Sequence, residues 1–304
     1  MTEIKRQITG NVPKLHRKRF GIFGGGAKKG DDFNRYLFLA KTHDYVLFFT
    51  SKGRAYMLRG YQIPEASRKA KGTAIVNLLQ LSPDERITAV INVPEFNNTK
   101  YLFMATNQGM VKRCKLTEFS SVRKNGLKAI TLNDSEELIG VKITDGNFSV
   151  LLATHRGMAI HFDEQDVRCM SRAAHGVKGI NLNAGDYVVS MDVVCDEACD
   201  VLTVTENGMG KRTKISEYKK QIRGGRGRIN LRLTRKTGLA AGMCIVHPDE
   251  EIFLFSAKGY ILCMDVDELK CHGRNTQGVI AMKLREGDTV TSIAAVKSEL
   301  NKKE

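Results

Sequence analysis

The chain has 304 residues, 42% of them hydrophobic, and carries 48 Lys and Arg against 33 Asp and Glu, a net charge of +15. That apolar share is normal for a globular core and argues against a disordered chain, while the lack of a long apolar run argues against a membrane span or signal peptide. So large a cation surplus favours a polyanionic partner, nucleic acid before a membrane surface, and the seven cysteines, without a C-x-x-C pair, fit reduced thiols in a cytoplasmic protein.

In chain order, residues 1–30 hold eight Lys or Arg and one Glu, and read as a basic segment, either a diverged first blade or a disordered arm. Asp31, Asp32, Phe33 and a strand from Tyr36 to Leu39 match the closing part of a repeat without its opening hairpin. From there one pattern recurs five times: a short apolar strand, Thr or Ser, two variable residues, Gly, and a second strand. The instances are Thr50 to Gly53, Thr106 to Gly109, Thr154 to Gly157, Thr205 to Gly208 and Ser256 to Gly259, with glycine spacings of 56, 48, 51 and 51. Pairs such as Lys52–Gly53 and Asn207–Gly208 predict a two-residue hairpin loop with positive φ at both positions. The strands before the turns (Val46 to Phe49, Tyr101 to Met104, Val150 to Leu152, Val201 to Val204, Ile252 to Phe255) are continuous apolar runs, which predicts burial on both faces.

Seventeen to nineteen residues after each turn glycine comes Gly-x-x-x-apolar-x-Leu, starting at Gly72, Gly126, Gly176, Gly227 and Gly278. A further strand follows, as in Asp186 to Val193 and Asp288 to Val296, making four per unit. Radially repeated four-stranded sheets with a period near fifty predict an all-β, six-bladed β-propeller-like disc with an incomplete first blade, over residues 31–297, and a short tail over 298–304.

The cations concentrate at two points of the repeat. One is the strand after the turn glycine: Arg54, Lys112, Arg113, Lys211 and Arg212. The other is the loop before the second glycine pattern: Arg68, Lys69, Lys71, Arg123, Lys124, Arg172, Arg223, Arg226, Arg228 and Arg274. One such loop in isolation is an ordinary solvated loop; recurrence predicts a basic track around the rim that meets phosphates with little sequence preference. The absence of Trp and the 7% aromatic content disfavour base-stacking platforms, which leaves duplex backbone as the target. The densest loop is Gln221, Ile222, Arg223, Gly224, Gly225, Arg226, Gly227, in which glycines let the backbone approach phosphates while arginines pair with them.

These residues resemble the C-terminal domain of the bacterial gyrase A protein, whose hallmark box reads Gln, basic, Arg, Gly, Gly, basic, Gly. The likeness covers about residues 31–297 and includes Thr42, His43, Asp44; Tyr61 to Ser67; Met104 to Lys112; Thr205 to Thr213; and Gly273 to Ile280. The resemblance implies a strand-exchanged β-pinwheel that wraps duplex DNA on its perimeter with a positive crossover. It further implies partnership with a breakage-reunion core and a separate ATPase subunit, in support of negative supercoiling near the bacterial nucleoid. ATP and Mg are expected on those other parts; no cofactor, metal or catalytic residue is assigned to this chain. The chain departs from the family in placing the box-like motif in the fourth complete repeat, with Ile222 at a basic position. In the first-blade region it has Arg17, Lys18, Arg19 and Gly24 to Gly30. The related C-terminal domain of topoisomerase IV and a propeller that binds protein partners remain the alternatives. Cys195 and Cys199 in an acidic loop, and Cys271 beside His272, do not supply the four N/S ligands of structural zinc. Thr42, His43, Asp44 lack a nucleophile elbow, and Gly24 to Gly30 lacks a P-loop ending.

Overall fold

The computed structural model describes residues 3–6, 22–23, 40–66, 72–123 and 125–297. Two short strands near the N-terminus are β1 (Glu3–Ile4) and β2 (Ile22–Phe23). Each repeat then forms four strands in succession. They are β3 (Tyr45–Thr50), β4 (Arg54–Arg59), β5 (Thr73–Ala74) and β6 (Ile87–Val93); then β7 (Tyr101–Thr106), β8 (Met110–Lys115), β9 (Leu127–Lys128) and β10 (Leu138–Thr144); then β11 (Ser149–Thr154), β12 (Met158–Asp163), β13 (Val177–Lys178) and β14 (Val188–Val194). The fourth and fifth repeats supply β15 (Asp200–Thr205), β16 (Met209–Lys214), β17 (Arg228–Ile229) and β18 (Ala240–Val246), then β19 (Glu250–Ser256), β20 (Tyr260–Asp265), β21 (Val279–Ile280) and β22 (Val290–Lys297). The helical segments among the described residues are single 3-10 turns such as Gly60–Gln62 and Ile215–Glu217.

The sheets are not the repeats. Their orders are β6-β3-β4-β9, β10-β7-β8-β13, β14-β11-β12-β17, β18-β15-β16-β21 and β22-β19-β20-β2. In four sheets the outer strand is donated by the following repeat, and in the fifth it comes from the N-terminal β2. The long inner strands β6, β10, β14, β18 and β22 pack against one another in that sequence, so the two-residue outer strands form the perimeter. Among the described residues the blade count is therefore five, not six. There β1 pairs only with β5, and β2 is used to complete the last blade. The strand expected at Tyr36 to Leu39 lies outside the described residues.

The strands β3, β7, β11 and β15 of the first four blades are covered on both faces, which explains their unbroken apolar runs, while β19 and β20 of the fifth are more open on one face. Leu47 and Phe49 of one blade share a core with Leu102 and Met104 of the next, and Leu202 and Val204 share one with Ile252 and Leu254. No blade could hide these faces alone, so stability is built blade against blade.

The glycine patterns make the joints. The carbonyl of turn residue Gly53 accepts the N–H groups of Ala129 (2.8 Å) and Ile130 (3.2 Å) from the next repeat, and Gly157 does the same for Asn230 (2.8 Å) and Leu231 (3.1 Å). At Gly227, φ is +75° and an added Cβ would lie 2.4 Å from the Ala159 carbonyl oxygen, so only glycine lets β17 settle against β12. The hairpins differ from the expected two-residue loop. Gly53 N–H bonds to Thr50 O at 2.9 Å, and only the glycine has positive φ. The chain thus uses a longer turn with a left-handed glycine, which spares Lys52 and Asn207 that conformation.

Candidate nucleic-acid interface

The outer strands place cations on the disc's edge. Lys128 on β9, Lys178 on β13 and Arg228 on β17 are all exposed and lie one or two residues after the joint glycine of their repeat. Lys128 is the direct cross-strand neighbour of Arg54, whose guanidinium donates to the Asn125 carbonyl oxygen. Two like charges opposite one another on a sheet are unfavourable unless an anion is shared between them.

The loops that carry the chain from one blade to the next add a second set. Arg123 and Arg226 are exposed, and Arg172, Arg223 and Arg274 are half-exposed. Arg223 and Arg274 are equivalent by repeat position and make equivalent bonds. Arg223 donates from Nη1 to Lys178 O (3.1 Å) and from Nε to Asp166 O (2.8 Å), and Arg274 donates from Nη1 to Ile229 O. Each guanidinium thus grips the outer strand of the preceding repeat while part of it faces solvent.

The loop Gln221 to Gly227 is held along its length. Gln221 N–H donates to His161 O (2.7 Å), Gly224 N–H donates to Gly179 O (2.6 Å), and Gly225 O accepts from Asn181 N–H (2.8 Å). Gly224 and Gly225 are half-exposed, and Ile222, at the position where the box has a basic residue, is 84% exposed.

Four expected phosphate ligands are placed otherwise. Lys112 and Lys211 are fully buried. Lys112 Nζ donates to Ala129 O (2.7 Å), just after β9 of its own repeat, and to Arg172 O in the incoming loop of the next repeat. Lys211 Nζ donates to Gly273 O (2.9 Å) and Arg274 O, both in the incoming loop of the next repeat. Burial lowers both ammonium groups to about 8. Arg113 lies 3.7 Å from Glu164 and over the Tyr101 ring. Arg212 pairs with Asp267 (2.7 Å) and Asp200 (3.6 Å), and donates to Leu269 O (2.8 Å). Lys112, Lys211 and Arg212 tether loops of the next repeat and Arg113 is enclosed beside Glu164 and Tyr101, so all four leave the expected phosphate-binding set, because the blades enclose these strands. Arg68, Lys69, Lys71 and Lys124 lie outside the described residues.

The edge is also less regular than the repeat suggested. Where two repeats have Lys128 and Lys178, the next two have Ile229 (46% exposed) and Ile280 (55% exposed). The missed cations Lys128 and Lys178 carried a legible signal, a lysine two residues after the joint glycine in consecutive repeats.

The sequence matches the family described as DNA gyrase C-terminal domain, beta-propeller, over residues 44–94, 100–145, 149–195, 200–236 and 250–297. The chain belongs to this family. Each of the five matched segments begins at or just before the first strand of a repeat; four run through its last strand, and 200–236 stops before β18. Among curated relatives, the chain is 43% identical over 295 residues to the DNA gyrase A protein of Haloquadratum walsbyi and 42% identical over 268 residues to that of Escherichia coli. These alignments cover 95% and 88% of this chain but 34% and 30% of the relatives, so it spans about a third of their length. Two solved structures share the fold: a C-terminal domain of DNA topoisomerase IV (TM-score 0.78, 30% identity, 85% of this chain and 80% of that one) and a DNA gyrase A C-terminal domain (TM-score 0.75, 27% identity, 91% and 92%). The disc thus matches the C-terminal domain of DNA gyrase A, a topoisomerase subunit. Among the described residues, no helix is long and apolar enough to cross a membrane.

Proposed function

We propose that this gyrase C-terminal domain binds duplex DNA without sequence preference along its perimeter, curves it and so wraps it, as the DNA-handling part of a gyrase A protein that supports negative supercoiling in the cytoplasm. The observation that carries the reading is the exposed cation series on the outer strands and blade-crossing loops, with Arg54 and Lys128 held side by side. Bending 20–30 base pairs smoothly by 40–90° costs on the order of 1–6 kcal/mol, so contacts must be spread along the duplex. A perimeter with cations on successive blades meets that need. The breakage-reunion core and the ATPase subunit are the proposed partners, and they supply the cleavage and the ATP chemistry. Curated relatives that are gyrase A proteins favour gyrase over the topoisomerase IV alternative.

The test is the salt dependence of binding to random-sequence duplex. Each phosphate contact contributes about 0.9 to the slope of log K against log salt. Lys128→Ala, Lys178→Ala and Arg228→Ala together should lower that slope by about 3 and weaken all sequences alike. An unchanged slope, or a loss confined to one sequence, contradicts the reading.

A further inference from the structure

A site of different chemistry lies away from the cationic edge. The inner-to-middle strand loops of two adjacent blades, between β14 and β15 and between β18 and β19, bring Cys195, Asp196 and His247 together, with Sγ, a carboxylate oxygen and a ring nitrogen all within 4.8 Å of one another. His247 Nε2 is 3.2 Å from Asp196 Oδ2, and Cys195 Sγ is 3.6 Å from the same oxygen. Zinc bonds of about 2.3 Å to sulfur and about 2.0–2.2 Å to nitrogen and oxygen, at tetrahedral angles, require ligand separations of about 3.6 Å for S···O and about 3.4 Å for N···O. The S···O and N···O separations match those two edges of the tetrahedron, and the sulfur and ring nitrogen lie within 4.8 Å of each other.

The second ring nitrogen is also provided for. His247 Nδ1 lies 3.7 Å from Glu250 Oε1, and Glu250 is fixed by accepting the His247 backbone N–H at 3.0 Å. At 3.7 Å this carboxylate is just beyond hydrogen-bond reach, and a closer approach of a few tenths of an ångström gives the arrangement that orients a metal-binding histidine. Asp196 is held in turn, its Oδ1 accepting the Ala198 N–H at 2.9 Å. Cys195 and Asp196 are exposed, so an ion can enter from solvent and keep a water as fourth ligand.

We propose that Cys195, Asp196 and His247 form a zinc site that staples the third blade to the fourth. Binding converts the Cys195 thiol to a thiolate and releases its proton to solvent, while the imidazole binds in its neutral form. A thiolate, an imidazole and a carboxylate suit Zn²⁺ rather than Mg²⁺ or Ca²⁺, which take oxygen ligands. The loop lies at the end of β15 away from its hairpin, whereas the donated outer strand β21 pairs at the hairpin end, with Met209 and Gly210 of β16. Metal should therefore affect blade cohesion and leave DNA affinity unchanged.

The experiment is competition of the full chain against a chromophoric chelator with Zn²⁺, in parallel with Co²⁺ substitution followed by absorption. The expected results are one tight equivalent, a thiolate-to-Co²⁺ charge-transfer band, and a Zn²⁺-induced rise in unfolding temperature. Cys195→Ser should abolish the band, His247→Ala should weaken Zn²⁺ binding by more than tenfold, and Glu250→Gln by about tenfold. Cys271→Ser, which changes an exposed cysteine elsewhere, should do none of these. Undiminished Zn²⁺ binding in Cys195→Ser or His247→Ala, or a full-strength band in Cys195→Ser, overturns the proposal.

Discussion

The loop from Gln221 to Gly227 offers a graded test of what its glycines do. A Cβ on Gly225 would meet nothing closer than 3.5 Å, and the backbone there has no positive φ. Gly225→Ala should therefore be neutral or stabilising by about 0.4–1 kcal/mol, through reduced freedom of the unfolded chain. Gly224 has the same free space, 3.5 Å to Lys178 O, but φ of +80°, so Gly224→Ala should cost about 1–2 kcal/mol for left-handed backbone alone. Gly227 combines φ of +75° with a carbonyl oxygen at 2.4 Å, and backbone atoms cannot yield as a side chain does. The overpacking adds about 1–3 kcal/mol, for a total of about 2–5 kcal/mol. Equilibrium urea unfolding of the three variants reads these differences as midpoint shifts at constant slope. Equal effects at Gly225 and Gly227 would refute the view that the joint glycine exists to seat the donated strand. DNA binding separates the second role: Gly225→Ala should weaken binding without loss of stability if close backbone approach to phosphate is used there.

Lys112 supplies a pH test. Its ammonium is lowered from 10.5 to about 8 by burial, so between those values the unfolded chain holds the proton that the folded chain has lost, and stability rises with pH. From about pH 7 to about pH 10.5 wild type should gain about 3 kcal/mol relative to Lys112→Met, measured by denaturant unfolding at each pH. A pH-independent difference would show that the ammonium is not desolvated. Lys112→Met and Lys211→Met should leave the salt slope of DNA binding unchanged, in contrast to the edge variants; a slope lowered by about 1 would return them to the interface. For Glu136, burial alone would raise the carboxyl, but hydrogen bonds from Thr106 Oγ1 (2.6 Å), Asn133 N–H (3.0 Å) and His175 (2.8 Å), with the His175 charge, hold it below its ordinary 4.5. Glu136→Gln should cost about 1–3 kcal/mol near neutral pH, and wild type should lose that advantage as pH falls through and below the ordinary carboxylate range, checked by acid titration of unfolding.

The repeat made the five hairpins legible, because Thr or Ser, two residues and glycine mark each turn and the apolar runs mark strands buried on both faces. Strand exchange was not legible from the residues. Leu127–Lys128 and its equivalents are two residues long, too short to carry a period, and their partners are chosen by the joint geometry of another repeat. The same burial that explains Val46 to Phe49 also encloses Lys112 and Lys211, so a charge on a middle strand signalled an internal tether rather than an exposed ligand. The turn type was missed because Lys52–Gly53 looks like a two-residue loop until the Thr50 carbonyl is seen to accept from Gly53. His247 was unconnected to Cys195 in the sequence because it sits in the equivalent loop of the next repeat, fifty-two residues away.

Wrapping itself is read most directly by incubating the domain with nicked plasmid, sealing with ligase and measuring the linking number after the protein is removed. A duplex that follows the perimeter with a positive crossover leaves a positive change that grows with protein, and the combined Lys128, Lys178 and Arg228 to Ala variant leaves a smaller one. Tight binding by wild type with no change in linking number would contradict wrapping.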